Sequence, residues 1–186
     1  MNKIFNVGLI GCGHIAETYF RAHKYFNNFK IIKCADINKN AANKCAKINK
    51  IKAVTIKQLL SDKDIKIILN LTIPAAHFNV AKQALMYGKH VYSEKPLAIN
   101  FQDGKKLIKL AKKKKLYVGN APDTFLGGGS QKSRDLLDKK VIGKVILGNA
   151  IFAYPGIQSY HPNPESWFAK KGGGPVVDMG PYYLTA

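Results

Sequence analysis

The sequence predicts an α/β fold: a doubly wound parallel sheet, followed by the start of a second α/β unit with a mostly antiparallel sheet. Three observations carry the prediction. Through residue 121, short apolar runs alternate with amphipathic stretches at regular spacing. The first run ends in a glycine turn, GCGHIA at 11–16, that opens straight into a helical pattern. The run IKIILNLT at 65–72 reads as a continuous apolar strand, the pattern of one buried on both faces. Alternating strands and helices of these lengths call for parallel pairing with helices above and below the sheet.

Each element follows from its local pattern. FNVGLIG at 5–11 is a short apolar strand, and Ile15, Ala16, Tyr19, Phe20, His23 and Phe26 then recur at helical spacing over 13–26. IIKCAD at 31–36 is the second strand. NKNAANKCAKIN at 38–49 is the second helix, with Ala41, Ala42, Cys45 and Ile48 on its inner side. A short strand near Val54 and a short helix around Leu59 and Leu60 lead into the strand at 65–72. HFNVAKQALMYG at 77–88 is a helix closed by Gly88, and KHVYSEKP is a strand that ends at Pro96. A helix over 101–115 and the strand LYVGNA at 116–121 complete a first domain, residues 1–121.

Beyond it the character changes, and residues 122–186 read as the incomplete start of a second domain. PDTFLGGGSQ is a glycine-rich connection before a helix at 130–140. VILGNAIFAYP at 145–155 alternates as a strand of a different sheet. Residues 155–175 hold four prolines and four glycines and predict a long loop. The closing segment VVDMGPYYLTA is apolar and helical in spacing, without a cap or polar tail, so the sequence reads as cut short.

Composition limits the function classes. The 186 residues are 46% hydrophobic, enough for one domain with a core and part of another. No run of eighteen apolar residues exists, so no membrane span or membrane partner is expected. The start runs into the glycine turn without a cleavage site, so no secretory leader is expected. Cys12, Cys34 and Cys45 form neither a close pair nor an even framework and read as free thiols of a cytoplasmic protein. No His, Cys and acidic cluster has metal spacing, and no metal is expected. The formal charge of +19 suggests nucleic acid, but 28 of the 30 basic residues are lysine and only Arg21 and Arg134 are arginine. Readers of phosphates and bases favour the planar arginine fork. Stretches such as KKLIKLAKKKK place lysines on outer helix faces, so solvated surfaces are expected and nucleic acid is not.

The glycine turn carries the first chemical reading. Gly11 permits the tight turn and Gly13 lets backbone approach a diphosphate, while Ala16 is small enough for the helix to pack on the strand. His14 and Ile15 open the helix whose free amides would hold that diphosphate. Asp36 closes the second strand, where a carboxylate reaches both ribose hydroxyls and repels a 2′-phosphate; Ile37 and Asn38 offer no cation to it. NAD is thereby favoured over NADP.

Further stretches carry a family resemblance: GKHVYSEKP leading into EKPLA at 94–98, and GGGPVVDMGPYY at 172–183. With GCGHIA they resemble the glucose-fructose oxidoreductase, inositol dehydrogenase and MocA family, from about residue 4 to the end. The resemblance implies a Rossmann domain followed by an α/β domain with a large open sheet through which full-length relatives form homo-oligomers. It makes this sequence similar to an amino-terminal portion of such an enzyme. It implies that Lys95 is the catalytic lysine beside the nicotinamide, that Pro96 shapes the turn after it, and that Glu94 faces the nicotinamide ribose. Thr72 and Pro74, in NLTIPAAH, match a segment that runs along the cofactor. His77 occupies a family histidine position and reads as a cap or packing residue as readily as a contact.

Asp178 and Tyr182 stand four apart. Many relatives carry an acid/base histidine at the second position; some branches use tyrosine, so Tyr182 is the candidate proton donor and acceptor, with Asp178 orienting substrate. Its other reading is an ordinary core aromatic. Pro181 suits only a first turn, which predicts a helix starting near Gly180. His161 and Trp167, in SYHPNPESWF, are candidate substrate-lining residues; the other reading of His161 is an ordinary surface histidine. The resulting expectation is an NAD-dependent oxidoreductase acting on a small-molecule polyol, sugar or sugar derivative, with an inactive fragment as one possibility. The rivals are an NAD-dependent glycosidase of the same family, a non-catalytic nucleotide-binding protein and a lysine-rich nucleic-acid binder.

Overall fold

The computed structural model describes residues 4–153, 155–156, 168, 170 and 173–185, with the side chain of residue 23 left aside. The chain divides into two units, Met1–Ala121 and Pro122–Ala186. The first unit runs β1 (Phe5–Ile10), α1 (His14–His23), β2 (Phe29–Ala35), α2 (Lys39–Asn49), β3 (Lys52–Ala53), α3 (Ile56–Ser61), β4 (Ile67–Asn70), α4 (Pro74–Met86), β5 (His90–Ser93), α5 (Phe101–Lys114) and β6 (Val118–Asn120). Its six strands form one sheet in the order β3-β2-β1-β4-β5-β6, and every neighbouring pair is parallel.

Successive strand residues feed opposite faces. Leu9, Leu69, Ile31 and Val7 pack with Ala16 and Phe20 of α1 and Ala46 of α2. Ile10 and Ile68 instead join Leu59 and Leu60 of α3, Ala81 and Leu85 of α4, and Leu107 of α5. Each fully buried Leu or Ile contributes about 1.5–3 kcal/mol, so two populated faces fix the strand ends firmly. Gly8 is needed here for close packing, since a Cβ would stand 2.7 Å from Leu59 Cδ2.

Local signals set the boundaries. The Asn38 carboxamide caps α2, accepting from the amides of Asn40 and Ala41. Thr55 and Gln58 form a reciprocal capping box on α3. Gly88, at φ 75°, follows the end of α4. Several boundaries depart from expectation. α1 ends at His23 and leaves Phe26 exposed; α4 starts at Pro74, which suits a first helical position, rather than at His77. On α2 the inward residues are Ala42 and Ala46, while Ile48 faces outward.

In the second unit a single 3₁₀ turn, Thr124–Leu126, precedes α6 (Gly128–Asp138), which begins inside the glycine run, earlier than predicted. α7 (Pro175–Thr185) is the other helix described there. Two expectations are corrected. Residues 145–153 form no strand, because a strand needs a paired neighbour and the described residues of this unit provide none. α7 begins at Pro175, not near Gly180, and carries Pro181 in its interior. Pro175 takes the position where its missing N–H costs nothing, Asp178 N–H donates to Gly174 O (2.9 Å), and the helix continues through Pro181 with one backbone bond fewer. Among the described residues no helix is long and apolar enough to cross a membrane.

Candidate functional site

The sheet's order reverses between β1 and β4: from β1 the chain moves outward to β2, and from β4 outward to β5. Loops leaving the carboxyl ends of those two strands diverge, and the gap between them is where open parallel sheets bind ligands. The turn after β1 and the loop after β4 approach closely. Gly11 has φ 100°, and a Cβ on it would lie 2.5 Å from the carbonyl carbon and oxygen of Leu71 and 2.7 Å from Thr72 N. Only glycine satisfies both conditions.

Gly13, two residues on, is different. Its φ of −79° suits any residue, yet a Cβ there would meet nothing within 4 Å. No side chain caps α1, and Gly13, His14 and Ile15 are exposed. The helix therefore opens with bare amides and a partial positive charge into free space. Ala16 is buried against β1, as the helix–strand packing requires.

Asp36 directly follows β2. Its Oδ2 accepts from Cys12 N–H (2.7 Å) and its Oδ1 from Asn38 N–H (2.8 Å). The carboxylate thus fastens the glycine turn while each oxygen keeps a second lone pair for a hydroxyl. Ile37 beside it is exposed and uncharged.

On the β4–β5–β6 side, the fold assembles a polar network that sequence reasoning missed. Asn70, fully buried at the end of β4, donates from Nδ2 to His77 O (3.1 Å) and Ser93 Oγ (3.0 Å). Its Oδ1 accepts from Thr72 Oγ1 (2.7 Å). Asn120 Nδ2 donates to the carbonyls of Ser93 and Glu94, both 2.9 Å away. Tyr19 of α1 donates its hydroxyl to Glu94 Oε1 (2.7 Å), tying the first helix to the end of β5. Lys95 N–H donates to Glu94 Oε2, and the Lys95–Pro96 peptide is cis. Lys95 is half-buried at this edge.

His77 lies inside this network. It is 1% exposed; its Nδ1 lies 2.6 Å from Pro96 O and its Nε2 2.8 Å from Thr72 O. Either tautomer donates to one of these carbonyls and the doubly protonated ring to both. The ring thus stands between the Thr72 loop and the Pro96 turn and bonds at least one of them. Pro74 opens α4 beside it.

The fold also assembles a cluster that sequence spacing does not show. The fold brings the sulfurs of Cys12, Cys34 and Cys45 within 4.8 Å of one another. Hydrogen bonding to Cys34 and Cys45, with burial, pushes the Cys12 thiol far up. The contact with Cys12 favours the Cys34 thiolate, but the Cys45 contact and burial outweigh it and push Cys34 up to about 12. Cys45, in contact with Cys12 and Cys34 and, after a smaller opposing effect of burial, accepting from Asn49, is drawn down to about 3.

The other catalytic candidates belong to the second unit. Asp178 is 8% exposed and Tyr182 half-buried, one turn apart on α7 and on one face of it. His161 and Trp167 lie outside the described residues.

Comparison with known proteins agrees with this geometry. Residues 5–121 match the family model for the GFO_IDH_MocA oxidoreductase family, NAD-binding Rossmann fold. Trans-1,2-dihydrobenzene-1,2-diol dehydrogenase of Xenopus laevis is 32% identical over 126 residues, covering 68% of this chain and 37% of that protein. dTDP-3,4-didehydro-2,6-dideoxy-alpha-D-glucose 3-reductase of Saccharopolyspora spinosa is 27% identical over 191 aligned residues, covering 100% of this chain and 56% of that one. The crystal structure of an NAD-binding protein from Listeria innocua superposes with a TM-score of 0.78 at 21% identity, over 97% of this chain and 52% of that chain. This chain thus spans roughly a third to just over half of the length of these relatives.

Proposed function

This chain belongs to the Gfo/Idh/MocA family of oxidoreductases, with an NAD-binding Rossmann fold over residues 5–121, and from that premise we propose that it oxidises or reduces a polyol, sugar or sugar derivative with NAD. The observation that carries the proposal is the bare amino end of α1, open at Gly13 and flanked by Asp36 at the reversal point of the sheet.

The residues present fit a dinucleotide. The amides at Gly13, His14 and Ile15 would hold the diphosphate, and the remaining lone pairs of Asp36 would accept the adenosine ribose hydroxyls. Thr72 and Pro74 would line the path toward the nicotinamide, whose ribose Glu94 faces. The bound nicotinamide supplies one chemistry, the giving or accepting of a hydride. The chain's own groups handle the substrate: the Lys95 ammonium hydrogen-bonds the reacting hydroxyl, Asp178 orients the sugar, and the Tyr182 phenol passes the hydroxyl proton. Residues 1–121 act in this reading as the cofactor domain and 122–186 as part of the substrate domain. The reaction takes place in the cytoplasm, where the free thiols stay reduced. The names of the relatives, a diol dehydrogenase and a dideoxyglucose 3-reductase, support a substrate with a hydroxyl or keto carbon.

Calorimetry with NAD and NADP, oxidised and reduced, tests the premise. NAD is expected to bind at least about tenfold more tightly than NADP, since a 2′-phosphate beside Asp36 costs more than about 1.4 kcal/mol, and Asp36→Ala should narrow that ratio. Absence of heat with every nucleotide overturns the reading. With a turned-over polyol, Lys95→Ala should lower kcat by about 100-fold or more while NAD affinity holds. Undiminished turnover removes Lys95 from the chemistry.

A further inference from the structure

Cys12 follows Gly11 in the turn after β1, Cys34 lies on β2, and Cys45 sits on α2. β1 and β2 are paired with Leu9 opposite Cys34, and α2 packs on the same face of the sheet, so three thiols from three elements converge. Cys34 is fully buried and the other two are half-buried. Their polar contacts differ in sense. Cys12 Sγ donates to Ala35 O (3.7 Å) and Cys34 Sγ to Ala42 O (3.5 Å), whereas Cys45 Sγ accepts from Asn49 Nδ2 (3.8 Å).

We propose that Cys12, Cys34 and Cys45 form a three-thiolate site for a single soft, closed-shell metal ion, copper(I) or zinc(II), behind the glycine turn. Metal–sulfur bonds of about 2.3 Å place three sulfurs about 3.8–4.0 Å apart, so the observed limit of 4.8 Å is reached by small side-chain rotations rather than by moving backbone. Thiolate sulfur selects copper(I) and zinc(II) over the harder ions that carboxylates and carbonyls hold. Among the described residues no histidine or carboxylate joins the group. Copper(I) is satisfied by three sulfurs, and zinc(II) takes a solvent molecule as its fourth ligand. As the ion enters, each ligating sulfur still protonated breaks its S–H bond, forms a metal–sulfur bond and releases the proton to solvent, with no change of oxidation state. The ion then joins β1, β2 and α2 at the point where the cofactor turn begins.

The test uses the full chain, reduced and kept anaerobic. Copper(I) is titrated against a chromophoric copper(I) chelator, and cobalt(II) serves as the coloured stand-in for zinc(II). The expected result is one ion per chain with a sulfur-to-metal charge-transfer band; the ion held more tightly against its chelator identifies the natural occupant. Cys45→Ser should weaken binding at least 100-fold with an unchanged far-ultraviolet circular dichroism spectrum. Cys12→Ser, which keeps the turn's backbone, provides the same test should the first variant misfold. No binding, more than one ion per chain, affinity that survives both substitutions, or thiols that pair as a disulfide in place of loading each overturn the site. The titration contains no nucleotide, so its outcome is independent of the dinucleotide reading.

Discussion

Gly11 and Gly13 stand one residue apart in the same turn, yet a methyl group has opposite consequences at the two positions. At Gly11 it meets the Leu71 carbonyl at 2.5 Å and a φ of 100° that side chains resist. Gly11→Ala should therefore cost about 2–4 kcal/mol in urea unfolding, from overpacking and backbone strain together. At Gly13 the space is open and φ is ordinary, so Gly13→Ala should cost less than about 1 kcal/mol, the difference between glycine and alanine at a helix N-cap. The same methyl would stand where a diphosphate must approach the backbone, so NAD affinity should fall about tenfold or more, measured by calorimetry. Equal stability losses at both positions would remove the distinction. Sequence reasoning reached both glycines and Asp36 because a turn between a strand and a helix leaves a local pattern. It did not reach the two amide bonds that Asp36 accepts, or the two carbonyls that flank the His77 ring, because those partners are fixed only by the folded chain.

At the scale of elements, the alternation of apolar strand and amphipathic helix made the first unit legible, since burial on two faces imposes its period on nearly every residue there. What stayed hidden joins strand ends. Asn70, Ser93 and Asn120 are short polar residues that read locally as turn formers, and Tyr19 reads as one more aromatic on a helix face; its bond to Glu94 spans 75 residues. Pro181 misled in the opposite direction, because a proline's local penalty was weighed without the stronger start signal of Gly174 and Pro175. Asn70 is the sharpest test of the hidden network. Asn70→Ala leaves Ser93, Thr72 and the His77 carbonyl without its amide in a buried place, so it should destabilise the protein by about 2–4 kcal/mol in urea unfolding. The loss should come with slower, weaker nucleotide binding, because both loops beside the crevice hang from this side chain. A loss under about 0.5 kcal/mol would show that the network carries no stability of its own.

Over the whole molecule two long-range properties oppose each other. The formal charge of +19 makes any two copies repel. Against that, the stretch 145–153 leaves Ile146 93% and Ile151 94% exposed, with Val145 and Leu147 also facing solvent and no strand among the described residues to cover them. The pattern there predicted a strand; among the described residues no neighbour pairs with it, and no local pattern reports on that. Contiguous exposed apolar surface of this kind drives association, and salt decides how much of it is expressed. At about 0.01 M ionic strength charges repel over roughly 30 Å, whereas at 1 M the range shrinks to about 3 Å and leaves the apolar contact unopposed. Sedimentation velocity should therefore show mostly single chains at low salt and growing self-association as sodium chloride is raised. Joint substitution Ile146→Lys and Ile151→Lys should abolish that growth, because it adds charge to the surface that associates. Association that instead weakens with salt would mean that opposite charges, not this apolar stretch, bring the copies together.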